Sequence, residues 1–289
     1  MRGSFVLPVL FAAFAWWFVT GLIFLAYGRS RRVTTLFFLG ASVVMMLALA
    51  GFVYAGAQET VAGVYLSLIC GILLWGWQVA SYYLGFVTGP EGSVPFPAVP
   101  RKQQFPLWHR FRNVFRASAH HELLAVLFLV VMALLSFDAA HRWGLWVYLT
   151  LWSMHGLARL NVFFGVRNFR FEMLPAHLHR LDQFVNKKAH NPLSAAIVIF
   201  GCVAVLVLIY QGIVPAAGPT QRIGAWVLGT LILLGVVENL LLVLPVNFVL
   251  WGWRTRPLPV GERPDASRQA PAPRTLAPLP ERIAKGMGK

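Results

Sequence analysis

The chain has 289 residues, of which 58% are hydrophobic and 12% are charged. Because soluble domains carry about 25% charged residues, this composition argues against a protein with a fully hydrated surface. The formal net charge of +15 would suit a nucleic-acid-binding protein. Most basic residues, however, lie between long apolar runs, which is typical of a membrane protein, so we expect no nucleic-acid partner.

Seven apolar runs follow one another, each long enough to cross about 30 Å of hydrocarbon as a helix. The first run is too long for the apolar region of a secretory signal peptide, so we interpret it as an uncleaved span. The predicted fold is therefore all-α, a polytopic helical membrane protein with about seven transmembrane helices. We place the spans at about 5–27, 34–55, 61–87, 120–139, 144–165, 192–213 and 224–250.

The basic residues are distributed unevenly between the two sides of these spans. Of the 25 Lys and Arg residues, 21 lie in the first, third and fifth connections and in the tail. The opposite side holds only Arg2, Arg142 and Arg222, and Arg159 lies within a span. Since basic loops are retained in the cytoplasm, this asymmetry predicts a periplasmic N-terminus and a cytoplasmic C-terminus.

The chain divides into a seven-helix transmembrane domain, 1–253, and a basic, Pro-rich cytoplasmic tail, 254–289, which we expect to be disordered. Two cytoplasmic segments of the first domain, about 107–117 and 174–187, have apolar residues on one helical face. They are predicted to lie in the headgroup layer, so membrane lipid is an expected partner. For the first segment, a basic loop with chance aromatic residues is the alternative.

Ionisable residues at membrane depth are energetically costly and are therefore candidate functional residues. His155 and Arg159 lie one turn apart in the fifth predicted span, and Glu238 lies in the seventh. We expect Arg159 and Glu238 to form an intramembrane ion pair, with Asn161 and Asn239 as polar neighbours. Fixing the packing of the helices is the alternative role of this pair.

A second group of candidates lies at or near the predicted cytoplasmic face. Its imidazole and carboxylate groups could bind a pigment or, as in many proteins, iron or zinc. A small residue, Ala117, precedes His121 by four positions, a spacing that lets a flat macrocycle approach the helix, as in light-harvesting antenna helices. An ordinary polar role for each His is the more common alternative. Besides His155, the pigment- or metal-binding candidates are His120, His121, Glu122, Glu172, His177 and His179, with His190 nearby.

Three stretches of the sequence resemble the PuhE family of photosynthetic complex assembly proteins of purple phototrophic bacteria. The resemblance covers about 1–250, and its most specific part runs from Ser153 to Phe184. The stretches are His120-His121-Glu122-Leu-Leu, then Trp152-Ser-Met-His155-Gly-Leu-Ala-Arg159-Leu-Asn161-Val-Phe-Phe-Gly-Val-Arg167-Asn168, then Leu174-Pro175-x-His177-Leu-x-x-Leu-x-x-Phe184.

The resemblance implies a protein of the bacterial inner membrane, cytoplasmic or intracytoplasmic. It would act in assembly of the reaction centre with its core light-harvesting antenna and in bacteriochlorophyll supply. The implied partners are reaction-centre and antenna subunits or pigment-biosynthesis proteins, and the implied cofactor is bacteriochlorophyll or a precursor. No catalytic residues are carried over, and we expect a non-catalytic protein.

Two other functions remain open at this stage. A metal-dependent membrane oxidoreductase would bind iron through the cytoplasmic His and Glu residues and act on a pigment precursor. A small-molecule carrier would use the layer of Arg159 and Glu238, although the sequence has none of the internal repeats common in transporters.

Overall fold

The computed structural model describes residues 5–88, 106–168 and 191–244. Within these ranges every regular element is a helix, which confirms the predicted all-α fold. The second predicted interfacial segment, 174–187, and the tail, 254–289, lie outside the described residues. The helices are α1 Val6–Ala26, α2 Arg31–Gly56, α3 Val61–Tyr83, α4 Leu107–Leu135, α5 Trp143–Phe164, α6 Pro192–Ile213 and α7 Pro219–Val243.

All helices of the described ranges except α5 are both long and apolar enough to cross a membrane. The length of α5, 22 residues, is sufficient, but it carries a His, an Arg and an Asn. Its termini nevertheless reach opposite ends of the bundle. Gly144, near its start, donates to Ser67 in the first half of α3, and Phe163, near its end, accepts from Arg110 in the first turn of α4. The chain is therefore a polytopic helical membrane protein.

One end of the bundle, which we call the basic end, collects the ends of α1, α3, α5 and α7 and the starts of α2, α4 and α6. Arg31 at the start of α2 donates to the Leu84 carbonyl just after α3, at 3.5 Å. Asn168, beyond the end of α5, donates from its backbone N–H to the Leu242 carbonyl of α7, at 3.0 Å. The first contact joins the antiparallel helices α2 and α3, and the second joins α5 and α7, which both end at the basic end.

At the opposite end of the bundle, arginine side chains cap the C-termini of two helices. The Arg142 Nε donates to the Ser136 carbonyl after α4, at 3.0 Å. The Arg222 Nη2 donates to the Val214 carbonyl after α6, at 3.1 Å. The last carbonyls of a helix lack intrahelical partners and carry partial negative charge, so a guanidinium stabilises them. Arg142 and Arg222 thus have a structural role.

The helix α4 is longer than the predicted fourth span, because it begins at Leu107 and not near residue 120. No proline or glycine interrupts the sequence between Pro106 and Leu135. Its 29 residues extend about 43 Å, beyond the roughly 30 Å of hydrocarbon. The segment 107–117 is therefore continuous with the span and forms its first three turns.

The core of the bundle is formed around α3, which packs against α1, α2, α4, α5 and α7. In its most apolar window 67% of the residues are buried, compared with 17% in α2, α4 and α6. The helices α3 and α5 approach each other closely, since a Cβ on Gly71 would overlap the Gly144 carbonyl. Small residues allow membrane helices to approach in this way. The outer helices present their apolar faces to lipid.

Candidate functional site

Polar and aromatic side chains of three helices meet inside the bundle, and we call this group the polar core. On α3 and on α5 its members follow the same spacing of i, i+3 and i+7, which places them on one face of each helix. Both faces are directed at α4. The polar core consists of Trp75, Gln78 and Tyr82 on α3, His121 and Glu122 on α4, and Trp152, His155 and Arg159 on α5.

Two histidines lie at the centre of the polar core. His121 has no exposed surface, and its ring centroid lies 6.0 Å from that of His155. Trp75 contacts both rings edge-on, with centroid distances of 5.9 Å and 5.5 Å. The Tyr82 ring lies 4.8 Å from His121. The Nδ1 and Nε2 atoms of His121 and the Nε2 atom of His155 are buried without a hydrogen-bond partner in the protein.

An ion pair between α4 and α5 borders the histidines. The Arg159 guanidinium pairs with the Glu122 carboxylate, and the second carboxylate oxygen accepts from the Trp152 indole at 2.9 Å. The Tyr82 hydroxyl lies close enough to the Arg159 guanidinium to interact with it electrostatically. Both charged side chains are partly buried, with 28% (Arg159) and 22% (Glu122) of their surfaces exposed, and pairing makes two such charges tolerable at membrane depth. The pair therefore joins α4 to α5 at membrane depth.

The acidic partner of Arg159 thus differs from the one expected, which was Glu238. Because α4 begins at Leu107, Glu122 lies in the middle of that helix and not in its first turn, so it can meet Arg159. Glu238 lies on α7, close enough to Tyr83 at the end of α3 to interact with it electrostatically. Since α5 packs against both α4 and α7, either acidic residue was a possible partner from the sequence.

Hydrogen bonds to backbone carbonyls also attach α4 to its neighbours. The Gln78 side-chain amide donates to the His121 carbonyl at 2.8 Å, and the Tyr148 hydroxyl donates to the Ala125 carbonyl at 3.3 Å. Most of the outward surface of α4 is apolar and exposed. Much of the contact between α4 and its neighbours is therefore made by polar side chains close to the two histidines.

A second polar cluster joins α5, α6 and α7 near the basic end. The Asn161 side-chain amide donates to the Asn239 side-chain Oδ1 at 3.1 Å. Its own oxygen accepts from Asn191 at 2.8 Å and from Ser194 at 2.6 Å. The Asn191 side chain also caps α6 by accepting from the Ser194 backbone N–H. All four side chains are buried, so this cluster fixes the mutual position of three helices.

Replacing Asn161 with Leu is expected to lower the free energy of unfolding by about 2–4 kcal/mol, because three interhelical hydrogen bonds are lost and their partners stay buried. Ser153→Ala, on an exposed position of the same helix, is the control and should change it by less than about 0.5 kcal/mol. Denaturant titration in mixed micelles measures both. Equal effects of the two substitutions would show that the cluster does not support the fold.

The structure gives a different result for each of the pigment- or metal-binding candidates. His121 is enclosed by three aromatic side chains, counting His155, so it offers no open face to a flat macrocycle. His120 is exposed, but its fourth preceding residue is Arg116 and not a small one. Three candidates, Glu172, His177 and His179, and the nearby His190 lie outside the described residues. In the parts that the structure describes, no three His, Cys, Asp or Glu residues meet in a metal-binding group.

Sequence reasoning missed the contribution of α3 and of the start of α6. Trp75, Gln78 and Tyr82 are uncharged side chains. The energetic cost of placing ionisable residues in the membrane, which was the criterion for candidates, therefore did not identify them. Their i, i+3, i+7 spacing, the same as on α5, is the signal that could have found them. Asn191 before Pro192 was recognisable as a helix cap, because Asn at the cap and Pro at the first position often occur together.

The helices and the inward-facing polar core define a polytopic helical membrane protein with a polar interior. Residues 2–260 match the family described as "Protein of unknown function (DUF3623)", and the chain belongs to this family. A relative, the "Uncharacterized 30.4 kDa protein in puhA 5'region" of Rhodobacter capsulatus, is 25% identical over 294 residues. The similarity covers 97% of this chain and 98% of the relative. No solved structure gives a significant match to the chain.

Proposed function

We propose that this protein is an assembly factor of the PuhE type for the photosynthetic reaction centre and its core light-harvesting antenna, linked to bacteriochlorophyll supply or delivery. The observation that carries the proposal is the near full-length similarity to a bacterial protein named for its place in the puhA 5' region. The name of that region is of the same puh series as the name of the PuhE family that the sequence resembles. The protein acts in the bacterial inner membrane.

The outer surface of the bundle supports a role in contacting other membrane proteins. The helices α2, α4 and α6 expose continuous apolar faces, for example at Leu47, Leu134 and Phe200. Lipid covers such faces in the isolated protein, and the helices of a partner can replace it through close packing. We propose that subunits of the reaction centre or antenna, or enzymes of pigment biosynthesis, bind to them.

Deletion of the gene in the source bacterium tests the proposal. The expected result is a several-fold loss of the near-infrared absorbance of the reaction centre and core antenna in isolated membranes, restored by the gene in trans. A parallel Ser153→Ala allele serves as a control, because that position is exposed and away from the polar core. Unchanged absorbance in the deletion strain would argue against an assembly role.

Purification of the tagged full-length protein in mild detergent tests the same proposal by a different route. We expect photosynthetic subunits or pigment-biosynthesis enzymes among the co-purifying proteins, identified by mass spectrometry. Bound bacteriochlorophyll or a precursor would be visible in the absorbance spectrum. Recovery of the protein with neither pigment nor photosynthetic partners would contradict the proposal.

Sidedness follows from the basic residues and can be measured by cysteine labelling. We propose that the basic end faces the cytoplasm and the N-terminus faces the periplasm. In a Cys202→Ala background, Ala140→Cys should react with a membrane-impermeant maleimide in intact spheroplasts, and Ser30→Cys only after lysis. Ala140 and Ser30 are both exposed, at opposite ends of the bundle, and Cys70 is buried. The reverse pattern would invert the proposed orientation.

A further inference from the structure

Five unpartnered polar atoms are concentrated in the polar core. They are the Gln78 Oε1, the His121 Nδ1 and Nε2, the His155 Nε2 and the Arg159 Nη1, all buried. Native proteins contain few such atoms, and each normally finds a partner in the protein or in ordered water. Their concentration at the meeting point of α3, α4 and α5 indicates that something absent from the polypeptide hydrogen-bonds to them.

We propose that the polar core binds ordered water inside the membrane, and that one water bridges the imidazoles of His121 and His155. A water can donate to the acceptor nitrogen of one neutral imidazole and accept from the N–H of the other. The same water, or a second one, reaches Gln78 Oε1 and Arg159 Nη1. Buried waters usually make about three such hydrogen bonds.

The separation of the two rings fits a bridging water. A direct N–H···N bond of about 2.9 Å would bring the ring centroids to about 5 Å, since each nitrogen lies about 1 Å from its centroid. One water, about 2.9 Å from each nitrogen, bridges centroids up to about 8 Å apart when the arrangement is straight. The observed 6.0 Å lies between these limits and corresponds to a bent bridge.

A divalent metal ion fits the same place less well. Two imidazoles are too few ligands for zinc or non-haem iron, which take three or more protein ligands. Arg159 is also close enough to His121 to act on it electrostatically, and its charge opposes a second cation. Water is neutral and avoids this repulsion, so the donor and acceptor set favours it.

In this proposal, water enters the polar core from the basic end. Tyr82 is the last residue but one of α3, whereas Trp75 lies two turns deeper. Along α5, Arg159 is one turn nearer the basic end than His155. The polar side chains therefore form a stripe from the basic end to the histidines, over about 10 Å of helix. The imidazole protons should consequently exchange with solvent.

Solid-state NMR of the full-length protein in lipid vesicles, labelled with nitrogen-15 at histidine, tests the inference. Magnetisation transferred from water should reach the imidazole nitrogens of His121 and His155, as it does those of the exposed His120. His121→Phe and His155→Phe assign the two signals, and each substitution should lower the transfer to the other histidine several-fold. Where a variant does not fold, contact with the Trp75 ring assigns the signals in the unsubstituted chain.

A thermal measurement gives a second readout. If one water bridges the rings, the loss of apparent melting temperature in the double variant should be clearly smaller than the sum of the two single losses. Additive losses, together with no transfer from water to either histidine, would show a dry core and overturn the proposal. Near-stoichiometric metal in the purified protein, with metal-shifted nitrogen signals, would overturn it in favour of an ion.

Discussion

Replacing Arg159 with Met is expected to lower the free energy of unfolding by about 3–5 kcal/mol, because the Glu122 carboxylate is then left without its cation inside the bundle. The Trp152 indole continues to donate to that carboxylate, but one neutral donor does not balance a partly buried charge at membrane depth. Combining Arg159→Met with Glu122→Leu removes both charges and should recover most of the loss. Denaturant titration in mixed detergent and lipid micelles measures each variant.

A pair of double-mutant cycles decides which acidic residue is the partner of Arg159. The cycle with Glu122→Leu should show a coupling of about 1–3 kcal/mol, the range for directly interacting residues. The cycle with Glu238→Gln should be additive within about 0.5 kcal/mol. A larger coupling with Glu238 would restore the pairing expected from the sequence and contradict the contact between α4 and α5.

Arg159→Met also tests which contacts hold α4 in the bundle. Besides packing against α5 and α3, α4 is held by the ion pair and by the hydrogen bonds from Gln78 and Tyr148 to its backbone. If water fills the polar core, removal of the Arg159 charge should leave the contact between His121 and His155 in place. The NMR signals of the two histidines in Arg159→Met would separate a local loss of charge from a displaced helix.

The helices themselves could be predicted from the sequence, because a run of about 20 apolar residues carries its own signal for a membrane span. The ends of the helices were harder to predict. The basic and aromatic residues after Leu107 are typical of a helix lying on the membrane surface, yet nothing in the sequence breaks the helix between there and Leu135. Whether such a segment bends at the headgroups or continues straight depends on the packing of α4 against α5.

The candidate site could be predicted only in part, for a related reason. Helical periodicity shows which residues share a face of one helix, but it does not show which helices face each other. The high cost of ionisable groups in the membrane drew attention to His155 and Arg159, which the structure places in the polar core. The Trp and Gln residues of α3 that surround the histidines have no such cost, and the tertiary contacts alone reveal them.

The crossing of α3 and α5 is the second place where a large effect is expected. Gly71→Ala should lower the free energy of unfolding by about 1–3 kcal/mol, the range for overpacking. We expect the loss to be at the upper end of this range, because the new Cβ meets the Gly144 carbonyl, a backbone group that cannot rotate away. Gly71→Leu should prevent folding. The Gly144 N–H donates a hydrogen bond to the Ser67 hydroxyl at 2.9 Å, and this bond holds the start of α5 against α3.

Gly156→Ala and Gly40→Ala are matched controls, because a Cβ at either glycine meets nothing within 4 Å. Both should be neutral or should stabilise the protein by up to about 1 kcal/mol, since Ala is a better helix former than Gly. Free tolerance of Ala at position 71 would mean that α3 and α5 do not cross at this contact. Trp75 lies one turn beyond Gly71 on α3, so its contacts with His121 and His155 depend on that crossing, and the polar core would have to be rearranged as well.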